Sequence, residues 1–399
     1  MHFNAALRVR PHATIRGTST GRRIGTLSRL SVAVLVPSRK CSRWGTALAG
    51  AGLAAGPIAA AVATLTPTAS VERLFSERAG LAIARAIGLF TGTVHVSVAE
   101  LCAPVLALVL LVGVWRARKR PLHLAVVALA LISGGYAVFE GMWGLNYRRE
   151  TMATVLQLNT TAVRGEEVIA LGAALVAEAN AARLATTTQH GIAALTSTTD
   201  DAITRAMSVY RAAGQKWPFL AGEYSRAKPL YSSILLSFAH GGGIYIPFTA
   251  EPNINVDYPA FTLPCTMLHE MAHQRGVARE DEANFIAWMV ATKYGDADFR
   301  YSAALEAVFY AIRAVGTIDP DIATAQGNAL SAGVRRDVEV IRAHQAKRES
   351  RAAEATAVVN DRYLRANGVA EGKESYGRVV DLMVATYREA KVNPLPLPQ

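Results

Sequence analysis

Apolar positions are unevenly spread along this chain. Three long apolar stretches crowd its first 147 residues: Gly45 to Ser70, Thr93 to Trp115 and Pro121 to Trp143. A helix crossing a bilayer needs about 20 mostly apolar residues, and each stretch reaches that length. After Arg148 the pattern changes. Glu166 to Leu184 is Ala-rich with apolar residues at helical spacing, and Thr199-Asp200-Asp201 opens a helix that runs on to Ala213. Arg351 to Ala366 and Gly377 to Ala390 read as further helices. Between them lies a segment of different character, Gly241 to Pro264, rich in Gly, Pro, Asn and β-branched or aromatic residues. It reads as loop and strand, with Ile244 to Thr249 the best strand and Pro247 confining it to a sheet edge. The pattern therefore predicts a mainly α protein. Three N-terminal transmembrane helices occupy a membrane domain over 44–147. A mostly helical domain with a small edge-strand region follows over 148–390, then a Pro-rich tail over 391–399.

Composition supports this division. The 399 residues are 51% hydrophobic and only 18% charged, too apolar for an ordinary soluble enzyme. Three cysteines exclude a disulfide-rich scaffold. The net charge is +11, yet nine basic residues precede Trp44 with no acid among them. Residues 1–43 thus read as a basic, disordered tail. No basic patch with interleaved aromatics follows, so nucleic acid is not an expected partner. Placing that tail and the linker Arg116-Ala117-Arg118-Lys119-Arg120 in the cytoplasm satisfies the preference of Lys and Arg for that side. Three crossings then carry everything after Tyr147 outward. Glu100 lies within two turns of the outer end of its stretch, where an interfacial position is expected.

The candidate chemistry sits in Thr266 to Trp288. His269-Glu270-Met271-Ala272-His273 is an HExxH pattern. Residues four apart share a helical face, so both imidazoles reach one zinc ion, and Glu270 is placed as general base toward a water there. Pro264 and Thr266 suit the start of the helix and Gly276 its end. A third ligand is needed. One class of such sites has a His at the position of Arg279, which cannot bind zinc. Another uses a Glu on the following helix, with a residue four later contacting the first His. Glu280 with Asn284 meets that spacing, Glu280 as metal ligand and Asn284 orienting His269. Glu282 is the alternative ligand, and Asp281 a more distant one.

Several segments together resemble a known family: WGLNYRR (Trp143 to Arg149), GGGIYIPFTAEPNIN (Gly241 to Asn255), HEMAHQRGVAREDEANF (His269 to Phe285), FRYS (Phe299 to Ser302) and ESYGRVVDL (Glu374 to Leu382). They are similar to an uncharacterised family of bacterial membrane proteins, a domain of unknown function in the zincin-like metallopeptidase group. The resemblance covers Trp44 to Tyr387. It implies three N-terminal spans and a zincin-like domain, which with the charge pattern means a multi-pass protein of the bacterial cytoplasmic membrane whose C-terminal domain is extracytoplasmic. It supplies a reaction class and no substrate. Zincins hold an extended substrate against an edge strand, and Ile244, Tyr245 and Ile246 are candidates for it. Tyr376 is the candidate donor to the developing oxyanion, with Arg378 next to it. The expected protein is a membrane-anchored zinc metallopeptidase acting on a peptide or protein substrate, with one zinc held by His269, His273 and Glu280. The alternative is a non-catalytic zinc-binding sensor or assembly module.

Overall fold

The computed structural model describes residues 39–349, 358 and 376–392. The segment before Arg39, all but residue 358 of the helix expected over Arg351 to Ala366, and residues 393–399 lie outside them. Two compact units divide the chain after Thr46. Of the first, only the opening of a helix is described.

Helix α1 spans Arg39–Leu65, so Arg39 to Arg43, expected in the tail, are helical. The apolar helix stops at Leu65 rather than Ser70, because extended Pro67 has no N–H to continue the ladder. The link expected to be a simple connector is itself helical. Val71–Ala79 is π-wound and runs into α2, Gly80–Thr91. Helices α3 (Val98–Ala117) and α4 (Pro121–Met142) form a hairpin about Arg118 to Arg120. Their large apolar side chains, Leu108, Leu111, Leu129 and Ile132 among them, point outward and are exposed. Helix α1 packs on α4 through glycine. Gly56 N–H donates to Ser133 Oγ at 2.9 Å, and a Cβ there would stand 2.6 Å from that oxygen.

The remaining elements build the globular part. They are α5 (Gly165–Ala185), the hairpin β1 (Thr188–Gln189) and β2 (Ile192–Ala193), α6 (Thr199–Lys216), β3 (Lys228–Pro229), β4 (Gly243–Ile246), β5 (Glu251–Ile254), α7 (Leu263–Gln274), α8 (Glu280–Tyr294), α9 (Ala297–Ile318), α10 (Pro320–Asn328), α11 (Ala332–Lys347) and α12 (Tyr376–Val392). Strand β5 is central, parallel to β3 and antiparallel to β4, which forms an edge. The edge strand is shorter than expected. Pro247 to Ala250 turn back, with Ala250 N–H donating to Pro247 O at 3.2 Å. Among the described residues, four helices are long and apolar enough to cross a membrane: α1 over Ala47–Leu65, α3, α4 and α5. Helix α5 stands apart from the other three. It buries Leu171, Leu175 and Ala179 in one core with Val308, Ala311 and Val315 of α9.

Polar contacts join the hairpin to the sheet. Lys228 Nζ lies 2.5 Å from Glu251 Oε1, and both side chains are fully buried. Glu251 also accepts the N–H groups of Val98 and Ala99 at 3.1 and 3.0 Å, satisfying orphan donors at the start of α3, while Lys228 Nζ donates to Thr91 O at the end of α2. Glu100 accepts the N–H groups of Tyr231 and Ser232 at 2.9 and 2.8 Å. It thus caps a loop of the globular part from the first turn of α3.

Candidate metal centre

The HExxH helix, α7, starts at Leu263, one turn earlier than Thr266. Thr266 therefore lies inside the helix and donates to Thr262 O rather than capping. Pro264 occupies the first turn, where its missing N–H costs nothing. The helix ends as expected. Gly276 takes φ +79°, and Val277 N–H returns to Ala272 O at 3.2 Å, a Schellman closure that β-carbons disfavour. The turn that follows is buried through Ala278 and delivers Glu280 as the first residue of α8.

That turn brings three ligand atoms together. His269 Nε2 is 3.0 Å from His273 Nε2, and Glu280 Oε2 lies 3.1 Å from the first and 3.5 Å from the second. Ligands about 2.0–2.1 Å from a tetrahedral zinc stand about 3.3 Å apart, so this triangle has the size of one face of such a site. His273 Nδ1 is 2.7 Å from Val277 O and donates to it, which turns Nε2 toward the cluster. The three groups also act on one another's charge. Burial works against an ionised Glu280, yet the two imidazoles outweigh it and hold the carboxyl far below its usual range. Burial likewise opposes a charged His273, but Glu280 raises it to about 9. Two imidazoles and a carboxylate at this spacing are a donor set that could hold a divalent ion.

Glu270, between the two histidines, is buried and pushed above the usual carboxylate range by desolvation, with the imidazoles working against that shift. The Tyr245 backbone N–H approaches it from β4, and a Cβ on Gly243 would stand 2.6 Å from its Oε1. Its Oε2 has no hydrogen-bond partner. The register explains the approach. Asn255 N–H pairs with Gly242 O, so Tyr245, opposite Pro252, falls in the non-hydrogen-bonded position and faces away from β5. The edge strand thus lies against the general-base candidate, with Tyr245 buried, Ile246 half-buried and Ile244 exposed.

Other expected residues are placed differently. Glu282 does not reach the cluster. Its Oε1 accepts Met152 N–H at 2.9 Å and Arg279 Nη1 at 3.1 Å. Asn284 makes no hydrogen bond with His269, whose Nδ1 is left without a partner. Asp281 faces Arg378 at 3.3 Å, and burial followed by the Glu282 charge holds its carboxyl up at about 6. Tyr376 is the first residue of α12 rather than part of a preceding turn, and its side chain lies outside the described residues.

Four contributions escaped sequence reasoning. Trp143, at the end of α4, donates from Nε1 to His273 O at 2.9 Å and packs edge-on to the His273 ring at 6.0 Å and against Tyr245 at 5.6 Å. Arg149 is buried. It pairs in a fork with Glu72 at 3.0 and 2.5 Å and donates to Gly276 O at 3.1 Å. Gln274 and Arg275 anchor the end of α7. Gln274 Nε2 donates to Ser225 Oγ and Ala250 O, and the Arg275 guanidinium stacks on Tyr210 and Tyr224. Trp143 and Arg149 lay inside a segment already singled out as a motif, but its spacing carried no hint of a partner more than a hundred residues away. Glu306 of α9 is also close enough to His269 to feel its charge, while burial raises its carboxyl. A lone carboxylate in the apolar run Ala303 to Phe309 was its available signal.

Fold and site together define a mainly helical protein with helices of membrane-crossing length and a His–His–Glu cluster across two consecutive helices. The family model described as "Protein of unknown function (DUF3810)" matches residues 75–384, and the chain belongs to that family. The match takes in all five motif segments and leaves α1 outside, a narrower span than the resemblance implied. None of the curated proteins and none of the solved structures compared matches the chain.

Proposed function

We propose that this protein is a zincin-like, membrane-anchored zinc metallopeptidase that hydrolyses peptide bonds on the extracytoplasmic side of the bacterial cytoplasmic membrane. The observation that carries the reading is the triangle of His269, His273 and Glu280 beside a buried Glu270 with one unpartnered oxygen. A zinc held only for structure closes with four protein ligands and has no use for that carboxylate. Among the described residues, three ligands gather here. When bound, zinc supplies Lewis acidity toward the scissile carbonyl and the attacking water. Glu270 takes the proton from that water and delivers it to the leaving amine nitrogen. Its raised affinity for a proton, caused by burial, suits both halves of this relay. An extended substrate adds to the open edge of β4, whose backbone passes directly over Glu270. Helices α1, α3 and α4 are the spans in this reading, with α5 part of the core.

Metal content of the detergent-purified full chain tests the reading. One zinc per chain is expected, lost in His269→Ala and Glu280→Ala and kept in Glu282→Ala and Glu270→Gln. Glu270→Gln should lower peptide hydrolysis by about 10²–10⁴-fold with the metal retained. A folded wild type that binds no metal would sink the reading. Full metal without hydrolysis of any peptide offered would leave the non-catalytic module.

A further inference from the structure

Upstream of β4, beside the start of α3, the globular part carries an exposed apolar patch. Tyr231 is 81% exposed, Leu235 68% and Ile234 48%, although the domain behind them has a dense core. They lie on and beside the five-residue helix Ser233–Ser237. That helix is tied down by its polar side. Ser233 Oγ accepts Val256 N–H at 3.0 Å, and Ser237 Oγ accepts Asn255 Nδ2 at 2.9 Å. The apolar side chains are left facing out.

Two contacts locate the patch. Glu100, in the first turn of α3, takes the N–H groups of Tyr231 and Ser232, so the patch begins where the exposed apolar surface of α3 begins. Lys228 Nζ donates to Thr91 O at 2.5 Å, which brings Leu89 and Phe90, 74% and 80% exposed, to the same place. From Phe238 the chain runs through Gly241–Gly243 into β4, where Gly243 packs on Glu270. The end of α4 reaches the same cluster through Trp143 and the His273 carbonyl. Scattered exposed apolar residues are ordinary, but a contiguous set joined to the end of a membrane-length helix is not. Tyr and Trp beside such an end belong to the interfacial belt.

We infer that Tyr231, Ile234 and Leu235, with Leu89 and Phe90, enter the bilayer interface around the Glu100 end of α3 and the Trp143 end of α4. The cluster then opens at the membrane surface, and its substrate is a polypeptide held at that surface. The substrate half rests on the peptidase reading, whereas the immersion of the patch does not.

The test uses the full chain with its native cysteines replaced, carrying a polarity-sensitive fluorophore on Leu235→Cys or Phe90→Cys. Glu339→Cys, at an exposed position of α11, is the reference. Each variant is reconstituted in phosphatidylethanolamine–phosphatidylglycerol vesicles with and without nitroxide lipid. Labels at positions 235 and 90 are expected to be blue-shifted and strongly quenched by the nitroxide, and the label at 339 to be neither. A water-like, unquenched label at either 235 or 90 overturns the immersion. In a second arm, one peptide is offered free and as a lipid-anchored form in the same vesicles. The anchored form should be cleaved at least about tenfold faster through its higher local concentration, an advantage reduced by Leu235→Asp. Equal rates overturn the substrate half. Immersed labels with no cleavage of either form overturn the peptidase reading and leave the immersion standing.

Discussion

Helices α3 and α5 have 20 and 21 residues, and both are long and apolar enough to cross a membrane. Helix α3 buries none of its residues, and its leucines and valines face outward on every side. Helix α5 buries a stripe running from Val168 through Leu171, Leu175 and Ala179 to Arg183. At its end Arg183 pairs with Asp337 at 2.5 Å, and Asp337 also accepts from Tyr301. The difference teaches that apolar length alone does not separate a span from a core helix. What separates them is whether one face is taken by neighbours and whether the other face is polar. On α5, Glu166, Glu167 and Glu178 interrupt the apolar run, and α9 covers the rest.

The seam between the two regions is where the comparison breaks most sharply. Lys228→Met leaves Glu251 ionised and buried without its cation, and removes the donor to Thr91 O. Losing one partner of a buried pair costs about 3–5 kcal/mol. The expected result is a large fall in thermal midpoint, with the sheet no longer protecting the start of α3 from proteolysis. Midpoints unchanged in Lys228→Met would mean that the hairpin and the sheet are not held by this pair.

Within each region, truncation sharpens the contrast. Leu175→Ala in α5 opens a cavity in the core and should cost about 2–5 kcal/mol. Leu108→Ala in α3, 61% exposed, should shift unfolding in detergent by no more than about 0.5 kcal/mol. Equal losses from the two variants would show α3 packed as tightly as α5.

The smallest effect concerns pH. A hydrogen bond from Arg388 lowers Glu167 to about 2, tying α5 to α12. A carboxylate with a depressed native pKa stabilises fully above its unfolded value near 4.5. That contribution is lost as the pH falls from there to about 2. Acid unfolding of wild type should therefore include a step in this window that Glu167→Gln lacks. A profile identical in both would show the pair to be worth nothing in solution.

How far the site was legible follows from the range of each contact. His269 and His273 were legible because four residues in a helix is a local distance. The edge strand was legible from its Gly, Pro and β-branched residues, although its far end closed into a turn at Pro247. Glu280 and Glu282 were not separable by spacing, since both stand in the first turn of α8. Met152 N–H and Arg279 hold Glu282 away from the cluster, and nothing near Glu282 in sequence announces Met152. Asn284 was assigned to His269 by analogy of spacing, and the packing of α8 against α7 leaves that imidazole nitrogen unpartnered.

By itself the sequence determined the helical elements, the apolar stretches and the turn at Gly276, because periodicity, proline and positive φ act within a few residues. It also set which residue types stand near the reactive face of α7. Only the tertiary structure decided which carboxylate meets the two imidazoles, and that Trp143 and Arg149 brace that helix from the end of α4. These depend on contacts between residues far apart in the chain, where burial and the need to pair every buried polar group choose among local options of similar cost.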